Sequence, residues 1–358
     1  MLVLGIESSC DETAAAIVNS EKQILASSVL TQSEHKNFGG VVPELAARAH
    51  LEHIDEIIGE TFQTARLKPT DIDAVAVAAG PGLIGGVTVG VMAAKALALA
   101  LDKPFIALNH LEAHALVARL NSDISYPYLL LLTSGGHCQI LVVEGVGKFK
   151  RLGTTIDDAA GEAFDKVAKM LGLGYPGGPI VEKMAALGDK SRFVLPRPLY
   201  NSGDCNLSFS GLKTAVRKVI EAYSPDNIIE HAIMRKRDIA DICACFQNAV
   251  GDIFTHKLEL AIRYFKNNYP NGKHLVVAGG VAANLYLRQC IDELCYKTGL
   301  LFAAPPINLC TDNGVMIAWA GVEHALNNMY SDLDFKPRPR WPLDENAPKA
   351  QGAGGVKA

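Results

Sequence analysis

The chain has 358 residues, 49% of them hydrophobic and 20% charged, which is enough apolar material for two packed lobes. A formal charge of -4 excludes a dedicated nucleic-acid coat protein, so any RNA contact needs a local basic patch or a helper subunit. The 8 cysteines include no Cys-x-x-Cys pair, which argues against a zinc ribbon and a disulfide framework and fits a reducing cytosol.

The chain opens on an apolar run with no basic leader or cleavage site, so no secretory signal is expected and a cytoplasmic location is. Residues 2–6, 14–18 and 23–29 predict three strands, the first ending at Ser8-Ser9-Cys10-Asp11. A helix over 44–62, a strand over 74–79, a glycine turn and a helix over 87–101 follow. The last is interrupted by Lys95 and rich in Ala and Gly, so it reads as a buried helix rather than a membrane span. A strand over 104–108 leads into a helix beginning at His110. The pattern then recurs, with strands over 128–132, 139–143 and 149–153, the first broken at Thr133-Ser134-Gly135-Gly136-His137. Helices over 238–265 and 282–295 and strands over 274–278 and 300–303 complete the second copy.

A repeated hairpin-led α/β unit implies two similar lobes with a cleft between them. The expected division is 1–125 for the first lobe, completed by a helix at 312–330, and 126–311 for the second. Thr311 and Asp312 are expected to cap that last helix, read as 312–328. Residues 335–358, rich in Pro, Gly and Lys, are expected to form a flexible tail.

His110 and His114 stand four apart, about 40° apart around a helix, close enough to grip one metal ion. A zinc protease of the His-Glu-x-x-His type places its general base one residue after the first His. Glu112 instead comes two residues after His110, roughly 200° round the helix. The pair therefore suggests a metal that holds or polarises a substrate, and two ligands require a third from elsewhere.

Four glycine turns follow strands or open helices: Gly80-Pro81-Gly82-Leu83-Ile84-Gly85-Gly86, Ser134-Gly135-Gly136, Tyr175-Pro176-Gly177-Gly178-Pro179 and Gly279-Gly280-Val281-Ala282-Ala283-Asn284. Glycine lets backbone N–H groups approach phosphate or ribose, and a following helix N-terminus favours negative charge. None has the Gly-Lys-Ser/Thr ending of a P-loop, yet four in two similar lobes point to nucleotide binding. Carboxylates also stand in compact settings, Asp11 and Glu12 in the first turn, Glu162 and Asp165 on either side of Phe164, and Asp312 after Cys310-Thr311.

Gly5-Ile6-Glu7-Ser8-Ser9-Cys10-Asp11-Glu12-Thr13, Gly39-Gly40-Val41-Val42-Pro43-Glu44, the histidine pair, Ser134-Gly135-Gly136-His137 and Gly161-Glu162-Ala163-Phe164-Asp165-Lys166 recur in order with Tyr175-Pro176-Gly177-Gly178-Pro179, Ser208-Phe209-Ser210-Gly211-Leu212-Lys213-Thr214, Gly279-Gly280-Val281-Ala282-Ala283-Asn284 and Cys310-Thr311-Asp312-Asn313. Together they resemble the bacterial TsaD family, the tRNA N6-adenosine threonylcarbamoyltransferases once labelled O-sialoglycoprotein endopeptidases. The resemblance runs to about Leu343. It implies an actin/Hsp70/sugar-kinase-like α/β fold of two duplicated RNase H-like lobes. It also implies a metal on His110, His114 and Asp312, with Fe(2+) the family's usual ion and Zn(2+) suited to the same atoms. Substrate contacts carry over onto Leu132, Thr133, Ser134, Gly135, Gly136, Asp165, Gly178, Glu182 and Asn284. Two positions depart from the pattern: Asn206 stands where an Asp precedes Ser-Phe-Ser-Gly, and Cys138 where Thr or Ser is usual.

The implied reaction carries threonylcarbamoyl from threonylcarbamoyl-AMP to N6 of adenosine 37 in tRNAs that read codons beginning with A, with ATP or ADP as related nucleotide ligands. Asp11 is the candidate to take the amine proton or orient the donor. The implied partners are tRNA, a catalytically silent TsaB-like paralogue, a small TsaE-like P-loop ATPase and a synthase that supplies the donor, with no membrane. Two alternatives belong to other classes. A small-molecule kinase on this fold has no need of the histidine pair, and a metalloprotease is weakened by the placement of Glu112.

Overall fold

The computed structural model describes residues 1–32, 35, 40–224 and 234–348. Gly39 of the second motif and residues 349–358 of the expected tail lie outside the described residues.

Two five-stranded sheets form the frame. The first holds β1 (Leu2–Glu7), β2 (Glu12–Asn19), β3 (Ile24–Thr31), β4 (Ala74–Gly80) and β5 (Phe105–Asn109), in the order β3-β2-β1-β4-β5. The second holds β6 (Tyr128–Thr133), β7 (Cys138–Gly145), β8 (Lys148–Thr154), β9 (His274–Ala278) and β10 (Leu301–Ala303), in the order β10-β9-β6-β7-β8. Read from β8, that is the order of the first sheet. In each sheet an antiparallel hairpin leads into parallel pairing, β1 on β4 and β6 on β9. Strands β4 and β6 are buried along their whole length, which is why they read as unbroken apolar runs rather than alternating ones.

Helices α1 (Pro43–Ala65), α2 (Ile84–Leu101), α3 (His110–Leu116) and α4 (Ala118–Asn121) belong to the first half of the chain. The second half supplies α5 (Ala160–Met170), α6 (Gly177–Ala185), α7 (Ser210–Glu221), α8 (Lys236–Asn268), α9 (Leu285–Thr298) and α10 (Gly314–Leu326). Among the described residues α2 is the one helix long and apolar enough to cross a membrane by length and composition. Its Val87, Val91, Ala94 and Ala98 are buried in the core of the first sheet.

Helix α10 returns from the second sheet to lie on β1, β2 and α3. Glycine makes this approach possible: a Cβ on Gly5 would stand 2.1 Å from the Ala318 nitrogen. The helix begins two residues later than its sequence suggests. Asn313, not Thr311 or Asp312, is the cap, its Oδ1 accepting the Met316 N–H at 3.0 Å. A cap one residue further on leaves the Asp312 carboxylate free to face another element.

The expected tail is also different where it is described. Ser331 bridges to Phe105, Phe335 and Trp341 pack against the core of the first sheet, and Leu343 packs against the core that α3 and α4 share with the second sheet. Composition alone suggested fraying, but three large apolar side chains set among prolines give an extended segment enough surface to dock.

A candidate metal and ligand cleft between the two sheets

Asn109 ends β5 and caps α3, its Oδ1 accepting the Leu111 N–H at 2.9 Å. The helix so started turns His110 and His114 to one side, both buried, with ring centroids 4.8 Å apart and planes at 90°. Asp312 arrives from the turn before α10. Its Oδ1 lies 2.9 Å from His114 Nε2 and 3.5 Å from His110 Nε2. The three donor atoms sit within 4.8 Å of one another.

The other nitrogen of His110 is held from β1. Its Nδ1 stands 2.8 Å from Glu7 Oε2 and 3.1 Å from Ser9 Oγ. A carboxylate at Nδ1 favours the proton there, which turns the Nε2 lone pair toward Asp312. Among the described residues His114 Nδ1 is buried with no hydrogen-bond partner, and the ring meets Asp312 through Nε2. Two imidazoles and one carboxylate converging on a point are the donor set of a divalent metal.

The electrostatics agree. Burial opposes a charge on His110, but Glu7 and Asp312 outweigh it and raise its pKa to about 9. Burial likewise opposes the Asp312 carboxylate, and His110 and His114 nevertheless hold it well below the usual carboxylate range. Glu12 is pushed up to about 10 by burial and then by Asp312 and Asp11. Carboxylates crowded this way are relieved by a cation.

Residues 8–12 reach the cleft as a tight loop held on several sides. Glu7 Oε1 accepts the Ser9 N–H at 2.6 Å, and Ser8 Oγ donates to Gly86 O at 2.9 Å. His50 of α1 lies 3.1 Å from Cys10 O through Nε2 and 2.8 Å from Thr13 Oγ1 through Nδ1. The Leu83 N–H donates to Ser9 O at 2.8 Å.

These walls and the facing second sheet enclose a cavity of about 960 Å³. Asp11, His110, Ser134, Gly135, Gly136, Asp165 and Asp312 line it. Gly135 and Gly136 have no atom near where a Cβ would stand, so their backbone faces open space. Leu132, Thr133, His114, Gly178, Glu182 and Asn284 are not among the lining residues. Leu132 and Thr133 are the buried end of β6, and Gly178 lies in the first turn of α6. Glu182 Oε1 accepts the Leu285 N–H at 2.7 Å, while Asn284 caps α9 through the Leu287 N–H at 2.9 Å. Both therefore fix the start of α9. Asp165 Oδ1 accepts the Gly177 N–H at 2.7 Å, tying α5 to the start of α6. Burial raises its pKa, against the Gly177 and Gly178 N–H groups.

Sequence reasoning gave no role to Glu7, Ser9, Cys10, His137 or Tyr175, although Glu7 holds Nδ1 of His110 and the others line the cavity. A carboxylate closing an otherwise apolar strand was the available signal for Glu7. Of the two departures, Asn206 Oδ1 accepts the Thr154 N–H at 3.2 Å, a role an Asp oxygen fills equally. Cys138 is fully buried, and its thiol is pushed up to about 12 by that burial. Glu112 points away from the cleft, its Oε1 accepting the Gly147 N–H at 2.7 Å.

Two sheets of matching order around a cleft with a His-His-Asp site define a protein of the actin/Hsp70/sugar-kinase-like class that carries a candidate metal centre. Solved structures agree on the fold. HypF from T. kodakarensis matches with TM-score 0.60 and 16% identity over 91% of this chain and 48% of its own. The activator of the 2-hydroxyisocaproyl-CoA dehydratase from Clostridium difficile matches with TM-score 0.51 and 15% identity over 92% and 97%. The family model described as TsaD, tRNA N6-adenosine threonylcarbamoyltransferase, matches residues 23–319, and the chain belongs to that family. A relative of that name from Rhodospirillum rubrum is 58% identical, covering 99% of this chain and 98% of its own. Another from Brucella suis is 54% identical over the full length of both.

Proposed function

We propose that this chain transfers threonylcarbamoyl from threonylcarbamoyl-AMP to N6 of adenosine 37 in tRNAs reading codons that begin with A, releasing AMP. The observation that carries this reading, beyond family membership, is the joining of Asp11, the Ser134–Gly136 turn, His110 and Asp312 around one cavity of about 960 Å³. That volume suits a nucleotide with an acyl group attached.

The amine lone pair attacks the carbamoyl carbonyl carbon. The new C–N bond forms, the C–O bond to phosphate breaks, AMP leaves with that bond's electrons, and N6 gives up one proton. Asp11 takes that proton or orients the donor. The exposed N–H groups of Gly135 and Gly136 hold the phosphate, and Asp165 is placed to meet the ribose. Gly178, Glu182 and Asn284 act from behind the wall by fixing α6 and α9, with Leu132 and Thr133 setting the end of β6. A divalent ion, Fe(2+) first and Zn(2+) second, would be held by His110, His114 and Asp312 and would supply positive charge where an oxygen becomes negative.

The lobes of this reading are 1–125 with 312–330, and 126–311. Its partners are tRNA, a TsaB-like silent paralogue, a TsaE-like P-loop ATPase and a threonylcarbamoyl-AMP synthase, all in the cytoplasm. A charge of -4 favours shared RNA binding. An exposed stripe on α2, with Ile84 at 53%, Met92 at 57% and Leu99 at 70% exposure, supports a protein partner on that helix.

The test is reconstitution with partners, synthase, threonine, bicarbonate, ATP and unmodified tRNA, reading nucleosides by mass spectrometry. Threonylcarbamoyladenosine made by the wild type and lost in His110→Ala/His114→Ala supports transfer and metal together. Absence of the nucleoside with every partner shown active overturns the transfer.

A further inference from the structure

Residues 331–348 run from the edge of β5 across to β8, and we infer that this strap is a positioning element for the cleft. It holds both the turn that walls the cavity after β4 and the cap of the helix carrying His110 and His114. The inference rests on the proposed metal reading of those histidines.

The strap is fastened along its length. Ser331 Oγ accepts the Ala107 N–H at 3.1 Å, and Lys95 Nζ of α2 donates to Phe335 O at 2.6 Å. The Arg338 N–H donates to Ala79 O at 2.8 Å, and the Gly82 N–H donates to Pro339 O at 3.3 Å. The approach is so close that a Cβ on Gly80, whose φ is +132°, would stand 1.7 Å from Arg338 O. Only glycine meets both demands there. The Arg338 guanidinium lies 5.1 Å from the ring centre of Phe335 and 4.8 Å from that of Trp341, closing the strap over itself. Beyond it, Asp344 Oδ2 accepts the Arg151 N–H of β8 at 2.9 Å.

Two routes lead from the strap to His110. In the first, the strap holds Gly82, the adjacent Leu83 N–H holds Ser9 O at 2.8 Å, and Ser9 Oγ lies 3.1 Å from His110 Nδ1. In the second, Asn109 Nδ2 donates to Trp341 O at 2.9 Å while its Oδ1 accepts the Leu111 N–H at 2.9 Å. Trp341 therefore fixes which end of the Asn109 amide faces the helix. An amide turned the other way would present N–H to N–H and lose the cap. The strap thus supports a metal ligand from outside the ligand set, the position from which neighbours orient a histidine.

The test uses full-length Trp341→Ala and Arg338→Ala, with Trp341→Phe as the conservative variant and Phe254→Leu in the second core as a destabilised control. Zn(2+) alone is titrated into each, and amide exchange is followed at Leu83 and Leu111. Trp341→Ala and Arg338→Ala are expected to bind Zn(2+) about tenfold more weakly and to exchange faster at both amides. Trp341→Phe and Phe254→Leu are expected to match the wild type in both readouts, although Phe254→Leu melts at a lower temperature. Unchanged exchange at Leu83 and Leu111 in both strap variants overturns the inference, as does an equal loss of Zn(2+) in Phe254→Leu. Should His110→Ala/His114→Ala bind Zn(2+) like the wild type, the metal reading fails on its own. The two amides then decide the strap, faster exchange supporting it and unchanged exchange overturning it.

Discussion

Glu7 Oε2 lies 2.8 Å from His110 Nδ1, with the Glu7 side chain fully buried and the His110 side chain 8% exposed. A buried carboxylate is costly unless its partners repay it, and here the repayment is an oriented imidazole. Glu7→Gln removes the charge and leaves one oxygen where Ser9 N–H and His110 Nδ1 each have one now, so the amide NH2 must face one of them. Zn(2+) affinity is expected to fall between about 10- and 100-fold, as read by competition with a coloured chelator. Wild-type affinity in the variant would show that the carboxylate does not tune the site.

Gly5→Ala tests the seat of the last helix. The added Cβ would stand 2.1 Å from the Ala318 nitrogen and 2.7 Å from Gly314 O, both backbone atoms that cannot swing aside. Helix α10 must lift from β1, at a cost of about 1–3 kcal/mol or more. Asp312 precedes that helix, so chemical denaturation should show lost stability and a Zn(2+) titration a weakened site together. Stability equal to the wild type would mean the strand yields instead.

The frame was legible because strands buried on both faces write themselves as apolar runs, and the hairpin-led order recurs in the second half. The histidine pair was legible because helical spacing is local. Spacing alone did not reach Asp312, since no rule runs from α3 to a turn 198 residues away, and it was the family resemblance that supplied it. Its sequence also suited a cap, a role that Asn313 fills instead. Glu7 was hidden for the same reason of distance. The strap was misread because Phe335, Trp341 and Leu343 dock one at a time, leaving no periodic pattern among the prolines.

Arg192 joins the loop after α6 to the first turns of α8, with Nη2 2.7 Å from Asp238 Oδ1 and Nη1 2.6 Å from Asp241 Oδ2. Both carboxyls are held below their ordinary value, Asp238 chiefly by hydrogen bonding to Arg235 and then Arg192, Asp241 chiefly by Arg192. Lowered carboxylates contribute stability that is present above their unfolded value and lost as pH falls through the folded one. Arg192→Met takes the shared cation from two carboxylates of 2% side-chain exposure, leaving Asp238 with Arg235 and Asp241 with the Asp189 N–H, so the variant is expected to be less stable than the wild type near neutral pH. The gap between variant and wild type is expected to narrow as pH falls below about 4, where the carboxyls protonate. Urea melts across that range test this, and a gap that widens toward acid would reverse the sign.

The outer face of α2 offers the last test. Ile84, Thr88, Met92, Ala96 and Leu99 are all exposed on a helix whose opposite side, Val87, Val91, Ala94 and Ala98, is buried. Water gains nothing from such a stripe, whereas a second apolar helix laid along it would bury both. Under the proposed function the occupant is the silent paralogue. Met92→Glu/Leu99→Glu places two charges in that contact without touching the core or the cleft. The purified variant is therefore expected to keep its melting temperature and its Zn(2+) affinity while losing the heterodimer by light scattering, and with it most tRNA modification. A heterodimer that forms as well as in the wild type would move the partner to another face. A fall in melting temperature without partner would mean instead that the stripe belongs to this chain's own packing.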